Sequence, residues 1–270
     1  MLRTRILTAA MLAILLLAAL FLLPAPWAVL AFGAVFSIGA WEWSGFGGVR
    51  GMAPRALYTA GFALASYLAW AWSAVPLHLL LLLGAACAWW VVALLWLAFV
   101  PPRPLPALAL ACGLPVLLPA FIALARLETC ESGFTRGPQA VLWLLLMTIA
   151  ADVGAYFAGR RFGRVKLAPR VSPGKTVEGA LGGLAMVALV AWCGAVHFGL
   201  PSAAAVAFGC AVGVFSIVGD LTESMFKRAA GLKDSGALLP GHGGMLDRID
   251  SMTAAAPLYA LGLYGSGVIG

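Results

Sequence analysis

The chain has 270 residues and a formal net charge of +7; 63% of it is hydrophobic and 10% charged, with a mean hydropathy of +1.00. A soluble domain is roughly 45–50% apolar and about 25% charged, so the composition excludes an ordinary soluble protein and leaves a membrane-embedded one. Apolar runs of about 17–25 residues, each long enough to cross a bilayer, use up nearly all of the sequence and leave little room for a separate soluble domain.

Arg3 and Arg5 lead into an apolar stretch from Ile6 to Leu23. A cleaved leader ending near Ala25-Pro26-Trp27-Ala28 is one reading of it. The stretch exceeds the about 7–15 apolar residues of such leaders, and further spans follow at once, so an uncleaved first span is expected. Breaking the sequence at prolines, glycines and charges gives nine spans, at about 6–23, 27–41, 56–75, 77–99, 105–124, 138–158, 179–199, 202–219 and 251–269. Within lipid, backbone polar groups must be satisfied inside the segment, and these runs lack the alternation of a barrel strand. The expected fold is therefore all-α, a polytopic transmembrane helical bundle.

Trp27, Trp41, Trp43, Trp70 and Trp72 fall near span ends, where rings sit at headgroup level. His78 and His197 lie near span ends too and read as interface residues. Pro101-Pro102-Arg103-Pro104 is a stiff connector, and the chain has no repeat or low-complexity tract. Cys87, Cys112, Cys130, Cys193 and Cys210 form no C-x-x-C pair, and four of these five lie in apolar runs, which argues against a disulfide framework or a zinc site.

Nine spans put the N-terminus and segments 42–55, 100–104, 159–178 and 220–250 on one side, with fifteen of the 17 basic residues. Only Arg126 and Arg136 fall opposite. Lys and Arg in short loops are retained in the cytoplasm, so the N-terminus is expected inside, the C-terminus outside and both long polar loops in the cytoplasm. Basic residues gathered beside apolar spans point to lipid and phosphate, and no nucleic-acid partner is expected.

Segment 220–250 holds five of the ten acids, four basic residues and a histidine. If its first part is helical, Asp220, Glu223, Ser224 and Lys227 share one face. A surface pair between Glu223 and Lys227 would account for part of this. It does not account for Gly241-His242-Gly243-Gly244, a run that lets backbone N–H groups approach phosphate oxygens. Asp220, Asp247 and Asp250 are candidates for Mg²⁺, which binds through one or two carboxylates plus substrate phosphates.

Segment 159–178 carries six basic residues and one acid, Glu178. It reads either as a positive loop fixing orientation or as an anion-receiving surface. Ser172-Pro173-Gly174-Lys175-Thr176 favours the second, because two hydroxyls and an ammonium suit a polyphosphate; the spaced glycine and strand context of a P-loop are missing. Asp152 lies in an apolar span four residues before Tyr156. A carboxylate there costs about 2.5–3.5 kcal/mol even on insertion scales, which marks it as functional unless it sits at the interface.

The run Ser224-x-Phe226-Lys227-Arg228-x4-Lys233-Asp234-x-Gly236-x2-Leu239-Pro240-x-His242-Gly243-Gly244-Met245-x-Asp247-Arg248-Ile249-Asp250 resembles the phosphatidate cytidylyltransferase (CDP-diacylglycerol synthase) signature. The resemblance also covers Asp152-x3-Tyr156 and Ser172 to Gly179; Gly174 departs from it, standing where family members often have a basic residue. It implies that CTP and phosphatidate give CDP-diacylglycerol and pyrophosphate at the cytoplasmic face of the inner membrane, with Mg²⁺ and in some cases a second cation. It places Asp220 and Asp247 on the metal and Asp250 behind them. Lys227, Arg228, Lys233 and Arg248 would neutralise phosphates, with Asp234 and His242 in the same catalytic stretch. Asp152, Ser172, Lys175, Thr176, Glu178, Ser224, Gly243 and Gly244 would contact substrate. It also implies residues 1–137 as scaffold and lipid interface, 138–270 as catalytic region, and a homodimer by likeness.

An enzyme of the same class acting on an isoprenoid lipid phosphate, or a kinase using CTP, would need a similar site. A CDP-alcohol phosphotransferase would need a D-G-x2-A-R motif that is missing, and a secondary transporter would show inverted repeats and midplane polar groups.

Overall fold

The computed structural model describes residues 2–130, 137–198, 200–238 and 243–266. Among these residues nine helices follow one another: α1 (Leu2–Phe21), α2 (Ala25–Ser44), α3 (Met52–Trp72), α4 (Pro76–Phe99), α5 (Pro106–Glu128), α6 (Gly137–Phe162), α7 (Val177–Phe198), α8 (Ser202–Ala229) and α9 (Leu246–Gly265). Each overlaps one apolar span of the sequence. The two largest extensions come at the charged motifs, with α8 running to Ala229 and α9 starting at Leu246. Six helices, α2, α4, α5, α6, α7 and α8, are long and apolar enough to cross a membrane. The chain is an integral membrane protein of the all-α class.

Helix starts follow local chemistry: α2, α4 and α5 each have proline in their first turn, where its missing N–H is no loss and its fixed φ suits a helix. In α5, 67% of the most apolar stretch is buried inside the protein, against 28–50% for the other five. It is the centre of the bundle. Trp43 from α2 donates its indole N–H to Ala109 O of α5 at 2.7 Å, and Tyr58 from α3 its hydroxyl to Leu110 O at 2.9 Å. Helix α9 packs against α4 and α5 as well as α8, and one apolar core runs unbroken from Leu20 to Leu263. Small residues bring α6 and α7 close: a Cβ at Gly182 would collide with that of Ala158.

The 159–178 segment departs from a plain loop. Lys166–Ala168 (β1) and Ser172–Thr176 (β2) form an antiparallel hairpin, pairing Lys166 with Thr176 and Ala168 with Ser172. Pro169 sits second in its turn, closed by Val171 N donating to Ala168 O at 3.1 Å. Strand β2 leads directly into α7.

Candidate active site

The 28 residues of α8 make about 42 Å of helix, more than the roughly 30 Å hydrocarbon core, so polar residues of its last turns need not sit in lipid. Asp220, Ser224 and Lys227 follow one another at helical spacing, and Ser224 Oγ donates to Asp220 at 3.4 Å. Lys175 of β2 forms an ion pair with Asp220, the two side chains being 30% and 22% exposed. The hairpin is pinned to α8 through Arg228, whose Nε donates to Val171 O at 3.3 Å and whose Nη1 donates to Leu232 O at 3.4 Å.

A second, more buried pair lies one to two turns further along α8. Lys227 Nζ is 2.7 Å from Asp247 Oδ1 and 3.0 Å from Glu223 Oε1. The other oxygen of Asp247 accepts from Gly244 N at 2.8 Å and Ser235 N at 3.0 Å. Gly243 has φ +79, a left-handed conformation open to glycine at little cost, and this turn lets Gly244 N face the carboxylate. In this conformation the Gly244 N–H, expected to meet phosphate, holds Asp247.

Asp250, one turn beyond Asp247, feels the charges of Asp220, Lys227 and Asp152. Asp152 on α6 feels those of Asp220, Lys175 and Arg248. A cavity of about 380 Å³ opens between α6, β2, α7 and α8, with Asp152, Tyr156, Arg160, Lys175, Thr176 and Asp220 on its wall. Two residues of this neighbourhood are engaged in local structure. Thr176 caps α7 by accepting from Gly179 N at 3.1 Å, and Glu178 accepts from Arg164 N at 3.0 Å and Val165 N at 3.2 Å, fastening the start of the hairpin. Ser172 is half-buried on β2; Lys233, Asp234 and Arg248 are exposed. His242 lies outside the described residues, as do Gly241 and Arg136, and so does the side chain of His197.

Among the described residues no three His, Cys, Asp or Glu side chains come together as a ready metal cage. The donor chemistry still fits Mg²⁺: hard carboxylate oxygens stand near the cavity, and this ion completes its shell with phosphates and water.

One acid escaped the reading of the sequence. Glu42 of α2 is 5% exposed and accepts from Ser235 Oγ at 2.9 Å, Met245 N at 3.0 Å and Leu246 N at 2.8 Å. The signal was present in Trp41-Glu42-Trp43, a lone acid at the end of an apolar span.

Clustered cations can neutralise phosphate charge, and carboxylates beside them can hold a divalent ion. At the mouth of a helical membrane bundle, this is the equipment of a membrane enzyme that acts on phosphorylated substrates. A family model described as "Cytidylyltransferase family" matches residues 3–264. The chain is 41% identical to a phosphatidate cytidylyltransferase of Pseudomonas aeruginosa, over 99% of this chain and 98% of that one. It is 39% identical to a phosphatidate cytidylyltransferase of Haemophilus influenzae, over 96% and 98% of the two chains. A phosphatidate cytidylyltransferase of Synechocystis is 50% identical over 40% of this chain and 38% of its own length. The chain belongs to the cytidylyltransferase family.

Proposed function

We propose that the cavity between the hairpin and α8 is where a phosphorylated lipid meets a cytidine nucleotide. The enzyme transfers the cytidylyl group of CTP to phosphatidate, giving CDP-diacylglycerol and pyrophosphate for phospholipid synthesis. A phosphatidate oxygen attacks the α-phosphorus of CTP in line, the bond to the β-phosphate oxygen breaks, and charge grows on the departing pyrophosphate. Phosphatidate is already ionised, so no strong general base is needed. Positioning and charge neutralisation supply the catalysis.

Lys175, Lys227, Arg228, Lys233 and Arg248 are the cations proposed to receive phosphate charge. Ser172, Ser224, Thr176 and the Gly243-Gly244 turn shape the pocket, and Asp152, Glu178 and Asp234 order these groups. Asp220 and Asp247 are the proposed Mg²⁺ carboxylates, with Asp250 behind them; the ion would offset charge on the triphosphate. His242 is proposed to orient the α-phosphate. Residues 1–137 supply scaffold and lipid interface, and 138–270 the catalytic region.

Nine crossings are proposed, with the N-terminus and the active site at the cytoplasmic face of the inner membrane. A homodimer is proposed by family likeness.

The observation that carries this reading is the two carboxylate–lysine pairs, Lys175 with Asp220 and Lys227 with Asp247, which tie α8 to the hairpin and to α9. The test is CDP-diacylglycerol formation by purified protein in detergent from CTP and phosphatidate, with and without Mg²⁺. Metal-dependent product, lost in Asp220→Asn and Asp247→Asn, supports it; no product with any lipid phosphate overturns it.

A further inference from the structure

Glu42 stands on the second helix, 193 to 204 residues away from every group that it binds. A buried carboxylate is costly unless its oxygens are satisfied, and this one is met by three donors: a serine hydroxyl and the N–H groups of Met245 and Leu246 at the head of α9. Those N–H groups have no partner within the helix, and the positive end of the helix dipole favours an anion there.

The fit around Glu42 is tight. A Cβ at Gly236 or at Gly244 would collide with its carboxylate oxygens. A ring contact joins α2 to α8: the rings of Trp43 and Phe226 lie 5.1 Å apart, and Trp43 is fully buried. Phe226 directly precedes Lys227. Glu42 is therefore fixed in position relative to the cation that holds Asp247.

Ser235 links the two carboxylates. Its hydroxyl donates to Glu42 at 2.9 Å and its backbone N–H to Asp247 Oδ2 at 3.0 Å. Gly244 N also donates to Asp247, and the next two N–H groups in sequence donate to Glu42. The backbone leading into α9 is thus gripped by Glu42 from one side and Asp247 from the other.

We infer that Glu42 is a positioning residue of the active site: it fixes Ser235 and residues 244–246 so that Asp247 is presented to Lys227 and to the incoming metal and phosphates. This rests on the proposed role of Asp247. It touches no substrate and acts through the backbone that it binds. An acceptor with two oxygens is required, because an amide at this position would turn an NH₂ toward one of three donors. Aspartate would fall short by one carbon–carbon bond, about 1.5 Å.

The test uses the full chain purified in detergent, with Glu42→Gln, Glu42→Asp and Ser235→Ala. Amide hydrogen exchange at residues 244–247, turnover against Mg²⁺ concentration, the KM for CTP and thermal melting are measured on each. Glu42→Gln is expected to speed exchange of the Met245 and Leu246 amides about tenfold or more. It should lower kcat by about 10²-fold, the usual consequence of misplacing a group by about 1 Å, and raise the half-saturating Mg²⁺ concentration while KM for CTP holds within about twofold. Ser235→Ala should give a smaller change of the same kind. The double variant Glu42→Gln with Ser235→Ala should lose less than the two single losses combined, as expected of one unit.

A lower melting temperature with unchanged kcat per folded molecule and unchanged Mg²⁺ requirement would overturn the inference, leaving a packing role. So would unchanged exchange at Met245 and Leu246. Should Glu42→Gln fail to fold, Ser235→Ala decides by the same readouts. Should the wild-type protein form no CDP-diacylglycerol, the functional reading falls alone. The inference is then judged by amide exchange and by the Mg²⁺-induced rise in melting temperature, which Glu42→Gln should diminish.

Discussion

Lys227 on α8 and Asp247 on α9 meet at 2.7 Å with side chains 10% and 9% exposed, so the ammonium is the buried tie between the two helices that carry the signature. Its second partner, Glu223, is 3% exposed at 3.0 Å. Lys227→Met strands two carboxylates in a poorly solvated place. The expected cost is about 3–5 kcal/mol, measured as a lower melting temperature in detergent together with loss of turnover.

The pair of Lys175 and Asp220 should respond differently, because its side chains remain 30% and 22% exposed. Lys175→Gln is expected to change stability by less than about 1 kcal/mol. Turnover should fall by about 10²–10³-fold, the usual effect of removing one group that stabilises transition-state charge. Melting and kcat measured on the same preparation separate the two effects.

Gly244→Ala places a methyl group against Ser235 Oγ and the Glu42 carboxylate. Overpacking of this kind costs about 1–3 kcal/mol, and the displaced turn should also lower turnover. Gly84→Ala on α4, where an added Cβ meets nothing within 4 Å, is the control. It should melt at or slightly above the wild-type temperature, since alanine favours helix over glycine by up to about 1 kcal/mol.

Asp247→Asn keeps the shape of the side chain and loses its charge. The protein should fold and insert, melt a few degrees lower because Lys227 loses a partner, and form no CDP-diacylglycerol at any Mg²⁺ concentration. Chelation of the metal should abolish wild-type activity, and added Mg²⁺ should restore it. Normal turnover in Asp247→Asn removes this residue from the proposed metal site.

The helices were legible because hydropathy acts locally: every apolar span became a helix, and each break at proline, glycine or charge fell near an end. The ends themselves were less so. The Asp220–Lys227 stretch is polar, yet it continues α8, since backbone hydrogen bonding carries a helix past the lipid boundary when its charges find partners in other elements. The β1–β2 hairpin was missed for a related reason. Its strands are short and basic, and what fixes them is Glu178, Arg228 and the start of α7 rather than an alternating pattern. Lys227 and Asp247 were legible as a signature, whereas their contact depends on how the chain folds back after Ala229. Glu42 was legible only as a lone acid at the end of an apolar span; its role was not, because its partners lie near the opposite end of the sequence.

The continuous core from Leu20 to Leu263 bears on how such a chain can change over time. The first and last helices of the core share one packing problem, and a buried acid near the beginning is matched to a serine and two glycines near the end. A chimera that joins the front of one relative to the back of another inherits mismatched halves of that fit. Recombination at the middle of the gene should therefore yield working enzyme only when Glu42, Ser235, Gly236 and Gly244 travel as a set.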